Sequence, residues 1–434
     1  MTRGQTETEG HRRRTAAVVG SGVAGLTAAW VLRSTYDVTL YEADERLGGH
    51  AHTHDVPDPS GATLAVDSGF IVHNERTYPL LLRLFDEVGV ETQAAEMSMS
   101  VRCDGCGLEY AGARGVAGLV PRASHLARGR YLRMLTEIPR FHRAARRLLA
   151  SPPGATGDAT LGQFLAAGRW SRYFVEHFAT PLVSCVWSCS PATALDYPAR
   201  YLFTFLAHHG MLGVSGSPQW RTVVGGSRTY VERVAKELTA VHTGAAVRSL
   251  SRRPGGVDLL DAAGDTHRFD AAVVATHPTQ ALALLAAPTG DERDVLGAFH
   301  FSRNQAVLHR DGTLLPRSAG ARASWNYRQE RCGGTAERVR VSYDLKRLQR
   351  LPAQGDIVVS LNGGGGALPA DDSVIARMVY EHPLYTPASV DARRRLPGLN
   401  TSTLAFAGAW TGWGFHEDGA RSGVAAAAAL GVDW

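Results

Sequence analysis

The stretch that decides the fold is TAAVVGSGVAGLTAAWVLRSTYDVTLYEA, residues 15–43. Thr15 to Val19 form a short apolar run, and Gly20, Ser21, Gly22, Val23, Ala24 and Gly25 follow before the helix-like LTAAWVLRS. DVTLYEA (37–43) alternates as a second strand and ends in Glu42 and Ala43, with Glu42 placed 22 residues after Gly20. Strand, glycine turn, helix, strand and acid occur in the order of a dinucleotide-binding unit. Gly20 makes the tight turn, Gly22 lets a pyrophosphate approach the helix N-terminus, and Gly25 allows close packing of helix on strand. Glu42 is placed to accept from ribose hydroxyls. The unit alone does not separate FAD from NAD.

The segments beyond the acid narrow the choice. Arg46 can offset pyrophosphate charge, and Gly48 and Gly49 let the chain cross near a cofactor without side chains in the way. Far downstream, LAFAGAWTGWGFHEDGARSGVAAAAAL (404–430) runs strand, glycine-rich turn with Gly408, acidic residue Asp418, then an alanine-rich helix. A helix opening at Gly419 and Ala420 points its dipole at an electron-rich group. Two nucleotide-contacting helix starts at opposite ends of one chain suit a long, extended cofactor.

Here the chain resembles the flavin-containing amine oxidase and phytoene desaturase superfamily. The resemblance rests on GSGVAG with Glu42 and RLGG, on VVGGSRTYVERV, TGAAVRSL and FDAAVVATHP, and on AFAGAW followed by HEDGARSG. LGGHAHT, VDSGFIVHNERTYPLLLRLF, EMSMSV and GFHEDGARSG are similar to a bacterial branch of FAD-binding oxidoreductases associated with cyclopropane-fatty-acid-synthase-like methyltransferases. The resemblance implies an α/β fold: a discontinuous Rossmann-like FAD-binding domain with an inserted mixed α+β substrate domain. It also implies FAD as cofactor, modified fatty acyl chains as substrates and a methyltransferase as partner. Val247, in TGAAVRSL, and Gly69 and Phe70, in VDSGF, become cofactor contacts by the same resemblance, with Gly69 passing near the isoalloxazine ring.

The layout expected is a polar leader over 1–14, an FAD-binding domain from 15–95, 211–290 and 396–434, and a substrate domain from 96–210 and 291–395. MSMSVRCDGCGLEY (97–110) reads as a hairpin around Asp104-Gly105, and Pro254-Gly255-Gly256 as a second hairpin turn. The 120–210 stretch is helical in pattern with a break at SPPGATGD, and NGGGGALP (362–369) reads as a flexible loop.

A chain of 434 residues with 44% apolar composition exceeds one ordinary core. Its net charge of +5 is mild and gives no support to nucleic-acid binding. Five cysteines, an odd count in a long chain, argue against a secreted disulfide framework and for a reducing, cytoplasmic setting. The triple arginine before AAVVGSGVAGLTAAWVL imitates a signal peptide, but glycines punctuate the apolar run and no convincing cleavage site follows.

Other residues allow competing readings. His50, His52 and His54 in LGGHAHTHD alternate, so one face of an extended segment can carry all three. They read as a metal trio, as cofactor-side groups at His50 and His52, or as solvated strand positions. We take the second for His50 and His52, because His50 stands where the superfamily often places a phosphate-facing arginine. Cys103 and Cys106 form a CxxC, and Cys185 and Cys189 a CxxxC. They bind zinc if the pairs meet, but the first flanks a turn and the second sits in an apolar run, so we read them as structural and expect no metal. The resemblance implies that Trp413 and Phe415 wall a substrate pocket beside the flavin, against a reading as core packing, and His416 is expected to orient substrate or shuttle a proton near neutrality. Between Arg122 and Arg147 eight arginines face a single acid, Glu137, a pattern that suits a solvated helix face or a peripheral contact with an anionic membrane. The expected activity is removal of a hydride equivalent from an aliphatic C–C or C–N bond. A modified acyl chain is the first substrate reading. A small amine is the second, and a non-redox flavoprotein partner of a lipid methyltransferase the third.

Overall fold

The structure is a computed structural model that describes residues 12–152, 159–213, 216–333, 337–363 and 368–434. The leader up to residue 11, most of the SPPGATGD break and the central glycines of NGGGGALP lie outside the described residues.

Apolar, β-branched-rich runs form a five-stranded parallel sheet in the order Ala240–His242, Tyr36–Tyr41, Arg14–Val19, Ala271–Val274 and Leu404–Phe406. Strands separated by more than a hundred residues thus lie side by side: Ala16–Val19 pair with Ala271–Val274, and Ala272–Val274 with Leu404–Phe406. Ala16, Ala17, Val18, Ala271 and Val273 are fully buried, as expected where both faces of a parallel sheet are covered. Helices Val23–Leu32 and His416–Ala429 pack on one face of the sheet. An antiparallel meander, Val247–Arg253, Gly256–Asp261 and Thr266–Phe269, packs on the other.

A second, seven-stranded sheet runs Val374–Leu384, His300–His309, Val358–Leu361, Val341–Asp344, Trp325–Gln329, Met99–Cys103 and Leu108–Ala111. The first hairpin is wider than its Asp-Gly signal predicts. Cys103 pairs with Leu108, so four residues, Asp104 to Gly107, make the turn, and Gly107 rather than Gly105 takes the left-handed conformation. The hairpin expected at Pro254-Gly255-Gly256 forms with a tighter turn of two residues, Pro254 and Gly255, because Gly256 already pairs with Arg253 in the ladder.

One boundary moves. The helices Gly290–Gly297 and Pro387–Arg395 fall in the stretch assigned from sequence to the substrate domain. Their residues Val295, Leu296 and Ala392 instead join Ala17, Val19 and Ala272 in one buried cluster beneath the parallel sheet. Alternation along 291–395 tracks the strands between these helices and carries no information on which sheet a flanking helix covers.

The helical layer includes Gly129–Ala150, whose buried Tyr131, Met134, Phe141 and Ala145 recur at helical spacing. Its arginines 130, 133, 140, 143, 146 and 147 are exposed on the other side. Glu137, the lone acid, is buried: it accepts from Ser171 N–H at 3.0 Å and from the Ser171 hydroxyl at 2.5 Å, holding the residue that caps Arg172–Phe174.

Helices Val23–Leu32 and His416–Ala429 approach so closely that a Cβ on Gly423 would lie 2.4 Å from the Ala24 carbonyl oxygen and 2.9 Å from Ala28 N. Gly423→Val forces these backbones apart, at an overpacking cost of about 1–3 kcal/mol. The expected result is a lower urea midpoint at unchanged m-value; an unchanged midpoint would refute the packing account.

Candidate active site

A long groove runs from the Gly20–Ala24 turn, past Gly48–His50 and Ser68–Val72, to Gly408–Trp410 and Trp413–His416. At its head Gly20 has φ +100°, and its absent Cβ would sit 2.8 Å from the Ala275 carbonyl oxygen. A Cβ on Gly25 would collide with the Gly20 carbonyl oxygen at 1.9 Å. Nothing lies within 4 Å of the Cβ position on Gly22, and that residue caps the helix without a side-chain bond to its amides. Free amides, a helix dipole and open space make this an anion cradle, and the residues present fit a dinucleotide pyrophosphate. Glu42 lines the groove and also holds the turn, accepting from Ser21 N–H at 2.9 Å and from the Ser21 hydroxyl at 2.5 Å.

Three expected contacts lie elsewhere. The Arg46 guanidinium does not line the groove; it donates to Gly49 O at 2.7 Å and to Leu47 and Ala51 carbonyls, fastening the double-glycine turn. Ala43 is also outside the groove, because the chain leaves it at Glu42. Val247 is partly buried against the cluster under the parallel sheet, since its strand belongs to the meander.

The three histidines divide. The strand begins only at Thr53, so residues 50 and 52 escape strict alternation. His50 lines the groove with Nε2 buried and unpartnered, and burial with the neighbouring His382 lowers its pKa to about 3. His52 is outside the groove: its Nδ1 lies 3.0 Å from the Tyr380 hydroxyl, while His54 Nε2 lies 2.8 Å from Ser68 Oγ. The trio therefore does not converge on one ion. Gly69 is demanded by crowding, for its Cβ would stand 2.2 Å from the His50 carbonyl oxygen.

At the far end the helix starts at His416, three residues before the position expected, because Phe415 is its cap and Asp418 accepts from Phe415 N–H at 3.1 Å. Asp418, Gly419 and Ala420 are buried behind the groove rather than lining it. Glu417 accepts from the Leu80 and Leu81 amides at 3.2 and 3.0 Å, which couples this helix start to that of Pro79–Glu87. His416 stacks on Phe70 with ring centres 3.4 Å apart and meets the Tyr230 hydroxyl at 3.0 Å. Full burial drives its pKa well below the ordinary value, which keeps the ring neutral near pH 7. Trp413 and Phe415 line the groove and pack around Phe205, Phe415 stacking at 4.8 Å and Trp413 edge-on at 5.8 Å.

Sequence reasoning missed the opposite wall, where Thr276 and His277 follow AAVVA and Tyr380, Glu381 and His382 end a long strand. His277 pairs with Glu381 at 3.0 Å. The AAVVATHP run signalled the first pair, while the second depended on the fold bringing residue 380 to residue 50. The two cysteine pairs do not meet as a four-thiol set. Cys185 and Cys189 are buried in the helical core, whereas Cys103 and Cys106 gather with His177 and Cys332.

His50→Ala should weaken flavin retention by about tenfold, the worth of one hydrogen bond to a charged group, while His52→Ala leaves it unchanged. Equal losses on gel filtration would refute the division of the histidines. Burial also makes the chain acid-labile. The pKa values of His50 and His52 are lowered to about 3, and those of His73, His142, His209, His309 and His382 to about 4. These groups stay neutral when folded but take up protons when unfolded, so stability is full above about pH 6.5 and falls towards about pH 4. Asp67 and Asp418, raised to about 6, and Glu417 and Asp344, also raised, act in the opposite sense but are fewer. The melting temperature should fall from about pH 7 to pH 5, with net proton uptake on unfolding; proton release there would refute this balance.

The family described as flavin containing amine oxidoreductase matches residues 23–302. Coproporphyrinogen III oxidase of Mycobacterium leprae (strain TN) is 27% identical over 299 residues, covering 63% of this chain and 61% of that protein's length. Cyclohexylamine oxidase from Brevibacterium oxydans IH-35A superposes with a TM-score of 0.69 at 18% identity, over 96% of this chain and 99% of its own. A CLA-producing fatty acid isomerase from P. acnes superposes with a TM-score of 0.63 at 14% identity, over 94% of this chain and 97% of its own. At such identities the two structures establish the fold and leave the substrate open. The family match spans well over half of the chain, and the anion cradle, the groove and the second helix start lie where a long dinucleotide requires them. The chain thus belongs to the flavin containing amine oxidoreductases, as a flavin-dependent oxidoreductase with FAD as its cofactor.

Proposed function

We propose that the protein oxidises an aliphatic chain, a modified fatty acyl group presented at a membrane surface. One observation carries this reading: an apolar chamber of about 580 Å³ adjoins the flavin groove and shares Val72, Val186, Trp325 and Phe415 with it. Met97, Met99, Leu119, Leu135, Ile138 and Leu182 wall the chamber, and among the described residues no aspartate or glutamate lines it. A protonated amine would find no counter-charge there, whereas a hydrocarbon loses nothing on leaving water.

When bound, the flavin supplies the acceptor for a hydride equivalent. The chain's own residues position and dry the donor carbon. Phe415 and Val186 lie at the junction of chamber and groove, and neutral His416, fixed by Phe70 and Tyr230, adds no charge beside it. Positioning and exclusion of water are the contributions such a reaction needs from a protein.

The way in supports the lipid reading. Gly115–Leu119 and Gly129–Ala150 contribute Leu119, Leu135 and Ile138 to the chamber wall. The same region exposes Val116, Leu126 and Leu132 at 79%, 60% and 39%, beside the arginine face. Apolar side chains rimmed by arginines suit shallow docking on an anionic leaflet. No helix among the described residues is long and apolar enough to cross a membrane.

Anaerobic bleaching of the flavin absorbance by phospholipid vesicles carrying cyclopropane or methyl-branched acyl chains is expected, with small amines ineffective. Bleaching by amines alone would sink the proposal. Leu135→Glu places a carboxylate in the chamber and should slow acyl-driven bleaching at least about tenfold, with flavin content unchanged. Leu126→Glu combined with Leu132→Glu should weaken binding to anionic vesicles without altering bleaching by a detergent-dispersed acyl substrate.

A further inference from the structure

On the far side of the substrate sheet, Cys103, Cys106, His177 and Cys332 bring one ligand atom each to a common point, all within 4.8 Å of one another. Cys103 Sγ lies 3.7 Å from Cys332 Sγ, and His177 Nε2 lies 3.6 Å from both Cys106 Sγ and Cys332 Sγ. We infer that these four residues form a closed tetrahedral site for a structural zinc ion.

The geometry carries the assignment. Zinc at about 2.3 Å from sulfur and 2.0–2.1 Å from nitrogen, with tetrahedral angles, sets sulfurs about 3.8 Å apart and sulfur from nitrogen about 3.6 Å. The observed separations match both values. A disulfide does not fit, since bonded sulfurs lie about 2.05 Å apart, and all five cysteines are free. A catalytic thiol does not fit either, because none of the four residues lines the groove or the chamber.

The surroundings complete a metal site. His177 Nδ1 lies 3.0 Å from the Tyr173 carbonyl oxygen, so Nδ1 carries the proton and Nε2 presents a lone pair to the common point. His177 sits in a π-helical turn, Val175–Ala179, within a helical run, a local widening of the kind often kept where a side chain must be re-aimed. Three thiolates and one imidazole on a divalent ion leave one net negative charge. The Arg128 guanidinium sits against it, donating to the Cys106 carbonyl at 3.2 Å. Gly105 admits the third segment, for its Cβ would stand 2.8 Å from Arg331 Cα.

With four protein ligands the ion has no open position for substrate, so its role is to hold structure. It ties the Asp104–Gly107 turn, the π-helical turn and the segment after Gln329. Val101, just before the first of these, and Phe178, within the second, wall the apolar chamber. Zinc then fixes the spacing between sheet and helices on which the chamber depends, at a distance from the flavin groove.

The test is metal analysis of the full-length holoprotein, purified without chelator and with thiols kept reduced. One zinc per chain is expected, and Cys332→Ser should weaken zinc retention against a competing chelator by at least about tenfold. Cys185→Ala should retain the ion, and flavin content reports whether each variant has folded. Independently of any variant, the metal-stripped wild-type chain should take up one cobalt ion with intense ligand-field bands to the red of flavin absorption, the signature of tetrahedral thiolate ligation. The assignment fails if the wild-type chain neither carries zinc nor binds cobalt in this way. It fails too if folded Cys332→Ser keeps zinc as tightly as the wild type, or if mass analysis finds Cys103 and Cys332 joined by loss of two hydrogens.

Discussion

The structure turns on the contact between two helices drawn from opposite ends of the chain. Val23–Leu32 and His416–Ala429 touch backbone to backbone at Gly423, and Val23 fills the space that a side chain on Gly419 would occupy. This contact sets two helix starts side by side on one groove, one facing the pyrophosphate cradle and the other its far end. A larger residue at either glycine would part the two ends of the cofactor site. The strand pairing Ala272–Val274 with Leu404–Phe406 serves the same end, because it carries the second helix to the sheet that supports the first.

That arrangement leaves the groove polar along one wall and apolar at one end. Its polar wall includes imidazoles that burial keeps neutral, His50, His382 and His416. Neutral rings donate or accept hydrogen bonds without paying the desolvation cost of a buried ion. The carboxylates nearby are already engaged: Glu417 by the Leu80 and Leu81 amides, Asp418 by Phe415 N–H, and Glu381 by His277. The chain thus offers a cofactor grip and a dry junction without a free acid and base.

The sequence made local geometry legible where one peptide segment makes the whole feature. The Gly20–Gly25 turn, Glu42 at the strand end and the Pro254-Gly255 turn each depend on neighbours within a few residues. Features assembled across the chain stayed hidden. Arg46 carried the expected charge, but its guanidinium is taken up by carbonyls of its own turn. His52 looked equivalent to His50 until the strand was found to begin at Thr53, which turned one imidazole to the groove and the other to Tyr380. Alternation along 291–395 described strands correctly and misplaced the helices at either end. The CxxC was visible, yet its partners were sought in the CxxxC, because no spacing in the sequence links residues 103, 177 and 332.

The same contrast separates the two kinds of chemistry in the molecule. A flavin site can be read from its glycines because phosphate recognition by a helix start is a backbone property, indifferent to most side chains. Substrate recognition by an apolar chamber is a property of volume, and volume depends on how Met97, Leu135, Ile138 and Leu182 meet from three different segments. Members of one family can therefore share the cradle and accept unrelated molecules, as the names of cyclohexylamine oxidase and a fatty acid isomerase attest for two chains of this fold. On the reading proposed above, what decides the substrate in this chain is the wall facing the groove across Phe415. A chamber that holds no counter-charge selects by length and shape, and its selectivity is then only as sharp as the spacing between the sheet and the helices that enclose it.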